Sequence, residues 1–405
     1  MAALRITARD PRSLARAGVL RTAHGELRTP AFVPLATKAT VKGLLAQEVA
    51  QLGYEMVLGN TFHLLLRPGE QLIERLGGLH RFMDWERPII TDSGGFQVFS
   101  MGHGTVADEI KARPSRGASA QRSGSILEIA EEGVRFRSYV DGRERFLSPE
   151  GSMAVQAALG SDIALVFDEC TPFHVDRAYT ERSTERTHRW LARCLDWHAE
   201  QGPAGQLVYG IVQGGVYEDL RRASTRVIAA SGCDGVAIGG SLGSEKAQMY
   251  EVVRFAAEEL GGDYETLPRH LLGIGEIDDL IAGVELGMDT FDCAMPTRLG
   301  RHGTALIPDP DARWRLDLLK GRWRESPEPL LEGCPCPACA RGLSRAYLSY
   351  LMRTGELTGM RLLTLHNLAF IAGLMADLRA AIHEGRLTEV AAALRAGAAP
   401  GVGTR

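Results

Sequence analysis

Ile163-Ala-Leu-Val-Phe167-Asp168 is a run of five apolar residues that stops at an acid. Its length and lack of alternation suit a strand covered on both faces. The same form recurs seven times. Ala31-Phe-Val-Pro-Leu35, Glu55-Met-Val-Leu58-Gly-Asn60 and Pro88-Ile89-Ile90-Thr91-Asp92 come before it. Leu207-Val-Tyr-Gly-Ile-Val212-Gln213, Val236-Ala-Ile238-Gly239-Gly240, Leu271-Leu272-Gly273-Ile274-Gly275 and Met288-Asp-Thr-Phe291-Asp292 come after. Helical signals separate these runs. Ser148-Pro149-Glu150 reads as an N-cap with proline at the first helical position, and Gly160 as the stop. From Glu276 to Leu286, Ile277, Leu280, Ile281 and Val284 recur at helical spacing, with Gly287 after them. Eight strand–helix units predict an α/β chain folded as a (β/α)8 TIM barrel, with its chemistry gathered where the strands end. Asp92, Asp168, Gln213 and Asp292 stand at those ends.

The chain has 405 residues, 45% of them hydrophobic and 24% charged, which is ordinary for a soluble globular protein. Seven cysteines, three of them clustered, argue against a secreted disulfide framework. The first ten residues hold no signal-peptide core, and no run approaches the roughly 20 apolar residues of a membrane span. A cytoplasmic protein without a membrane partner is expected. The net charge of −4 gives no whole-chain sign of nucleic acid. Between Arg298 and Arg353, however, basic residues outnumber acids and are interleaved with Trp314 and Trp323. Such a stretch suits a phosphate-rich partner or a plain solvated surface.

Cys334-Pro-Cys336-Pro-Ala-Cys339 places three thiols within six residues. With His366 they make a complete tetrahedral Cys₃His set for Zn²⁺, which leaves no position for catalytic water and points to one structural ion. His302 and His383 are rival fourth ligands. The expected organisation is a barrel with an N-terminal extension over residues 1–300 and a small zinc-binding insertion over 301–366. A C-terminal helix packed on the barrel over 367–396 and a tail without order over 397–405 complete it. Residues 103–125 are small and polar and read as a mobile loop.

In Thr91-Asp92-Ser93-Gly94-Gly95-Phe96-Gln97, glycines let a flat ligand approach the backbone beside a carboxylate, and Phe96 could stack on it. A second acid stands in Phe291-Asp292-Cys293-Ala-Met-Pro296-Thr297-Arg298. Two carboxylates at one barrel mouth could divide the work of nucleophile and proton donor. Either could instead cap the helix that follows.

These two motifs resemble tRNA-guanine transglycosylase, the queuine tRNA-ribosyltransferase family. So do Phe167-Asp168-Glu169-Cys170-Thr171-Pro172, Val212-Gln213-Gly214-Gly215, Gly59-Asn60-Thr61-Phe62-His63-Leu64 and the Cys₃His cluster. The likeness runs in order from about Thr29 to about Arg386. It implies replacement of guanine at the wobble position of tRNA by a 7-deazaguanine, most simply 7-aminomethyl-7-deazaguanine. Direct use of queuine, or a non-catalytic tRNA-binding partner subunit, are the alternatives. Asp292 would be the nucleophile and Asp92 the general acid and base. Ser93, Gly94, Gly95, Phe96, Asp168, Cys170, Gln213, Gly240 and Leu272 would hold the base. Gly273, Ile274, Gly275, Glu276, Ile277, Asp278 and Asp279, with Thr297, Arg298, Leu299, Gly300 and Arg301, would contact tRNA. Cys334, Cys336, Cys339 and His366 would hold zinc, and a homodimer is implied. The chain departs from the usual bacterial pattern at Ser241 and Gly243, and a glycine in place of the usual valine would widen the pocket toward queuine.

Overall fold

The computed structural model describes residues 3–102, 126–171 and 175–401. The chain enters through an antiparallel meander of β1 (Leu4–Arg9), β2 (Arg16–Thr22) and β3 (Gly25–Thr29). It continues into β4 (Ala31–Ala36), β5 (Val57–Gly59) and β6 (Ile89–Thr91). A second meander, β7 (Ile126–Ile129), β8 (Val134–Arg137) and β9 (Glu144–Leu147), interrupts the rhythm. Then follow β10 (Ile163–Leu165), β11 (Leu207–Val212), β12 (Gly235–Ile238), β13 (Arg269–Leu271) and β14 (Thr290–Cys293).

Strands β4, β5, β6 and β10 to β14 pair in parallel and close on themselves, with Ile90 beside Ile163 and Phe291 beside Phe32. All eight runs read from the sequence therefore contribute a barrel strand. The expected TIM barrel is the observed fold. One run is displaced: β13 ends at Leu271, because Gly273, at φ +73°, turns the chain into a loop. Neither meander was foreseen, although Leu4–Arg9 and Val134–Arg137 alternate apolar and polar residues as half-buried strands do. The loop read over 103–125 lies outside the described residues.

The helices start and stop as their residues dictate. The Ser148 hydroxyl accepts from the Gly151 amide at 3.0 Å to open Pro149–Leu159, and Gly160 closes it at φ +70°. The helix Ile277–Glu285 packs Ile277, Leu280 and Ile281 into the core and lies close enough to β14 that a Cβ at Gly283 would meet Phe291. Phe291 is fully buried there, and Phe291→Ala would cost about 3–5 kcal/mol. The first meander covers the end where the strands begin. Leu4, Leu20 and Leu27 share a core cluster with Ala31, Ile90 and Ile163 of the barrel.

After β14 come the helix Met295–Arg301, a hairpin of β15 (Thr304–Leu306) and β16 (Arg315–Asp317), and the cysteine cluster around Pro337–Ala340. The helix Leu357–His383 then runs without a break through position 366, where the sequence reading drew a boundary. By length and composition it could cross a membrane, contrary to the sequence reading, but 67% of its most apolar window is buried within the fold. It is a core helix. The tail expected to lack order packs as far as Gly401, whose amide donates to Asp377 Oδ2 at 2.7 Å.

Candidate active site

The two candidate acids stand at the strand ends of β6 and β14. Asp92 is gripped from the neighbouring strand end. Asn60 donates its side-chain amide to Oδ2, and the Thr61 amide donates to Oδ1 at 2.9 Å. Burial in the mouth is the largest influence on its carboxyl and raises it. The Thr61 amide works against this, the charge of Asp292 raises it again, and the balance stands at about 7. Asp92 is therefore poised to hold or release a proton near neutrality. The influence of Asp292 also means that the two carboxylates feel one another across the mouth.

Asp292 is held differently. Its Oδ1 accepts from the Gly273 amide at 3.0 Å and lies 3.2 Å from His270 Nε2. Oδ2 has no hydrogen-bond partner among the described residues. Gly273 delivers its amide from a positive-φ turn that few other residues adopt. One oxygen is anchored and the other faces the mouth.

Beside Asp92 lies a polar floor. Ser93 Oγ donates to Asp168 Oδ1 at 2.9 Å, and Gln213 Nε2 donates to Oδ2 at 2.7 Å. A Cβ at Gly95 would come within 3.0 Å of Asp168 Oδ1, so only glycine lets the turn close on that carboxylate. A Cβ at Gly240 would strike Gln213 Oε1. Burial raises the Asp168 carboxyl, the Ser93 and Gln213 bonds lower it, and it settles at about 6. Cys170 is buried nearby, its thiol pushed up by burial. Phe96 and Leu272 are both partly buried against the same core cluster. Gln213 Oε1 and Ser241 Oγ are buried without a hydrogen-bond partner. Buried polar atoms are normally paired, so these two atoms are open to a ligand's polar edge, though atoms such as Asp10 Oδ1 and Tyr209 Oη are orphaned elsewhere in the fold. Gly243 lines the cavity of about 340 Å³ that Gly273, Ile274 and Gly275 also border. Its φ of +108° favours glycine there, and a Cβ would meet the Gln248 side chain at 2.5 Å.

The segment from Gly273 divides. Gly273, Ile274 and Gly275, with Arg298 and Leu299, border a cavity of about 340 Å³ next to Asp292. Ile277 belongs to the core, Asp279 accepts from Tyr250 at 2.7 Å, and Asp278 accepts from Trp314 Nε1 at 3.2 Å. Glu276 is paired with Arg315. Thr297 and Gly300 are buried, and the Arg301 guanidinium donates to Thr297 Oγ1 at 3.2 Å. A larger cavity of about 620 Å³, lined in part by Glu70, Glu74 and Trp197, opens on the flank, and neither acid lines either cavity.

Sequence reasoning missed Lys38 and Lys42, which follow β4. With Arg298, both are exposed and have no acidic partner among the described residues. Burial and then the charges of Arg301, Lys38 and Arg298 lower the Lys42 ammonium, so these cations crowd one another at the rim. It also missed His270 and gave Asn60 no role, although Asn60 stood in a quoted motif. Neither residue carries a signal by itself, because its partner is distant in sequence.

The cysteine cluster is assembled as the spacing suggested. Cys334, Cys336 and Cys339 place their sulfurs 3.7, 3.4 and 3.5 Å from His366 Nδ1. A tetrahedral ion with ordinary Zn–S and Zn–N bonds needs roughly 3.6 Å. His366 Nε2 lies 2.8 Å from the Leu306 carbonyl, to which it donates, leaving Nδ1 free to ligate. The set could bind a metal ion, and His302 and His383 lie outside it.

A family model described as queuine tRNA-ribosyltransferase matches residues 10–399. The chain is similar to the queuine tRNA-ribosyltransferase of Roseiflexus sp. (strain RS-1), 48% identical over 396 residues, which span 96% of this chain and 97% of the relative. The protein of that name from Pelotomaculum thermopropionicum is 46% identical over 385 residues, covering 95% of each chain. That from Staphylococcus aureus (strain JH9) is 43% identical over 376 residues, covering 93% of this chain and 91% of its own.

Proposed function

The chain belongs to the queuine tRNA-ribosyltransferase family, and we propose that Asp292 and Asp92 carry out its reaction by double displacement. As a tRNA-guanine transglycosylase it exchanges guanine in tRNA for a 7-deazaguanine base in queuosine biosynthesis. Asp292 Oδ2 attacks the ribose anomeric carbon at the wobble position. The glycosidic bond breaks, its electron pair leaves with guanine, and Asp92 supplies the proton. Guanine departs, the incoming base gives its proton to Asp92, and its nitrogen displaces Asp292 from the sugar. The target nucleotide leaves its stack to reach the mouth.

The observation that carries this reading is the pair of acids sharing one mouth. One has its carboxyl raised to about 7, and the other has one oxygen anchored and one free. Asp168, Gln213 and Gly240 would read the polar edge of the base, with Ser93, Gly94, Gly95 and Cys170 shaping the floor. Phe96 and Leu272 would cover its two faces. Lys38, Lys42, Arg298 and Arg301 would take RNA phosphates, which explains cations left without acids. Gly273, Ile274 and Gly275 would border the bound strand.

The incoming base is proposed to be 7-aminomethyl-7-deazaguanine, the base that the family resemblance implies most simply, although Gly243 lines a cavity beside the site. Offering guanine-containing tRNA both bases in competition tests this, and preferential incorporation of queuine would reverse it. The Cys₃His set is proposed to hold one structural Zn²⁺, a fit supported by its sulfur–nitrogen distances. Cys336→Ser is expected to lose the ion and the folding free energy it contributes, and a stable, ion-free, active variant would reject the assignment. A cytoplasmic homodimer completes the proposal. Tyr347, Tyr350 and Leu357 are exposed apolar side chains beside the metal set that a second copy would cover. Sedentary monomers in sedimentation at assay concentration would argue against it.

A further inference from the structure

We infer that His270 is a positioning residue for the nucleophile, fixing Asp292 so that a single carboxylate oxygen is presented to the sugar. The inference rests on the double-displacement reading. His270 sits in the middle of β13, paired in register with Thr290 of β14. Thr290 and Asp292 are two residues apart, so their side chains share a face of that strand. The His270 ring spans both rungs, with Nδ1 2.8 Å from Thr290 Oγ1 and Nε2 3.2 Å from Asp292 Oδ1. It is fully buried.

Chemistry assigns the direction of this chain. An ionised carboxylate only accepts, so Nε2 carries the hydrogen. A neutral imidazole then has Nδ1 as its acceptor, which takes the hydroxyl hydrogen of Thr290. The Gly273 amide is a second donor to the same Oδ1. Two donors on one oxygen fix the carboxylate's rotation and leave Oδ2 as the attacking atom. Once the bond to the anomeric carbon forms, Oδ1 is the carbonyl oxygen of the ester and keeps both donors. When the incoming base displaces the sugar, the electron pair returns to Asp292, and the same donors stabilise the returning charge. His270 transfers no proton in either half.

His270→Phe removes the donor at similar bulk and is expected to lower kcat roughly 10- to 100-fold, since misplacing a reacting group by about 1 Å costs on that order. KM for tRNA and for the base should stay within about twofold, and metal content should be unchanged. His270→Gln, which restores an N–H, should recover at least about threefold of the lost kcat. Should the phenylalanine variant not fold, Thr290→Val frees the ring's orientation without touching Asp292 and should lower kcat by several-fold at constant KM. Wild-type kcat in His270→Phe, no recovery in His270→Gln, or wild-type kcat in Thr290→Val would each overturn the inference. Asp292→Asn is the control. If it still exchanges bases, the parent reading fails; if it is inert while His270→Phe is fully active, only the positioning role fails.

Discussion

Where the barrel strands begin, Asp162 accepts from the His24 and Ile89 amides at 2.9 and 2.8 Å and from the His24 and His80 rings at 2.9 and 3.1 Å. Where they finish, Asp92 draws as many donors, from Asn60, Thr61, Gly94 and Gln97, and Asp168 draws Ser93 and Gln213. Burial works to raise all three carboxyls. At Asp162 the donors from His80, Ile89 and His24 overcome it and hold the group at about 2, whereas Asp92 stands at about 7 and Asp168 at about 6. Asp289, also at a strand start, is gripped by the buried Arg16 guanidinium through Nε at 2.9 Å and by the Arg269 amide at 2.7 Å. At the closed end imidazole and amide donors outweigh burial, whereas at the open end burial and a neighbouring carboxylate outweigh the amide and hydroxyl donors. The difference teaches that the balance of burial, neighbouring charge and donor type, rather than the number of donors, separates a structural aspartate from a reactive one.

Breaking the open end should have the largest effect. Asp292→Asn is expected to lower exchange of labelled guanine into tRNA by about 10³-fold or more, with thermal stability and metal content unchanged. Asp92→Asn should cost about 10²-fold. In wild type, kcat/KM for guanine release should fall as pH rises through about 7, because the acid form is required, and that limb should vanish in the variant. Ionising Asp92 also costs the folded state stability as pH rises from about 4 through 7, so Asp92→Asn should melt a few degrees higher at pH 8.

The closed end should respond in stability alone. Asp289→Ala leaves Arg16 buried and unpaired and is expected to cost about 3–5 kcal/mol in denaturant unfolding, with kcat per folded molecule unchanged. The smallest effect is the acid dependence of Asp162. Its folded value lies below the unfolded one, so its contribution is complete above about pH 4 and is lost as pH falls toward 2. It amounts to about 2 kcal/mol. Asp162→Asn should remove that limb from a pH–stability curve, and a sharp loss of exchange at pH 7 in either closed-end variant would blur the comparison.

The open end was largely legible in the sequence, because each barrel strand is an apolar run and the reactive groups stop those runs. Asp92, Asp168, Gln213 and Asp292 could be placed at one end from spacing alone. Their partners could not. Asn60 reaches Asp92 from the neighbouring strand end, 32 residues away, and His270 meets Asp292 only through the β13–β14 register. The closed end was illegible for a related reason. His24, His80 and Asp162 come from three distant segments, and only the folded chain brings them together. Gly243 carries two signals at once: it lines the cavity beside the site, and its φ of +108° also asks for glycine, which spacing could not reveal.

Double displacement is tested most directly by where the sugar is held. Wild-type enzyme and tRNA would be quenched in denaturant during exchange, digested, and the RNA-linked peptide sequenced by mass spectrometry. The account predicts a ribose ester on Asp292, present in wild type and absent from Asp292→Asn. An adduct on Asp92 or another side chain, or exchange at full rate with no adduct formed, would contradict it.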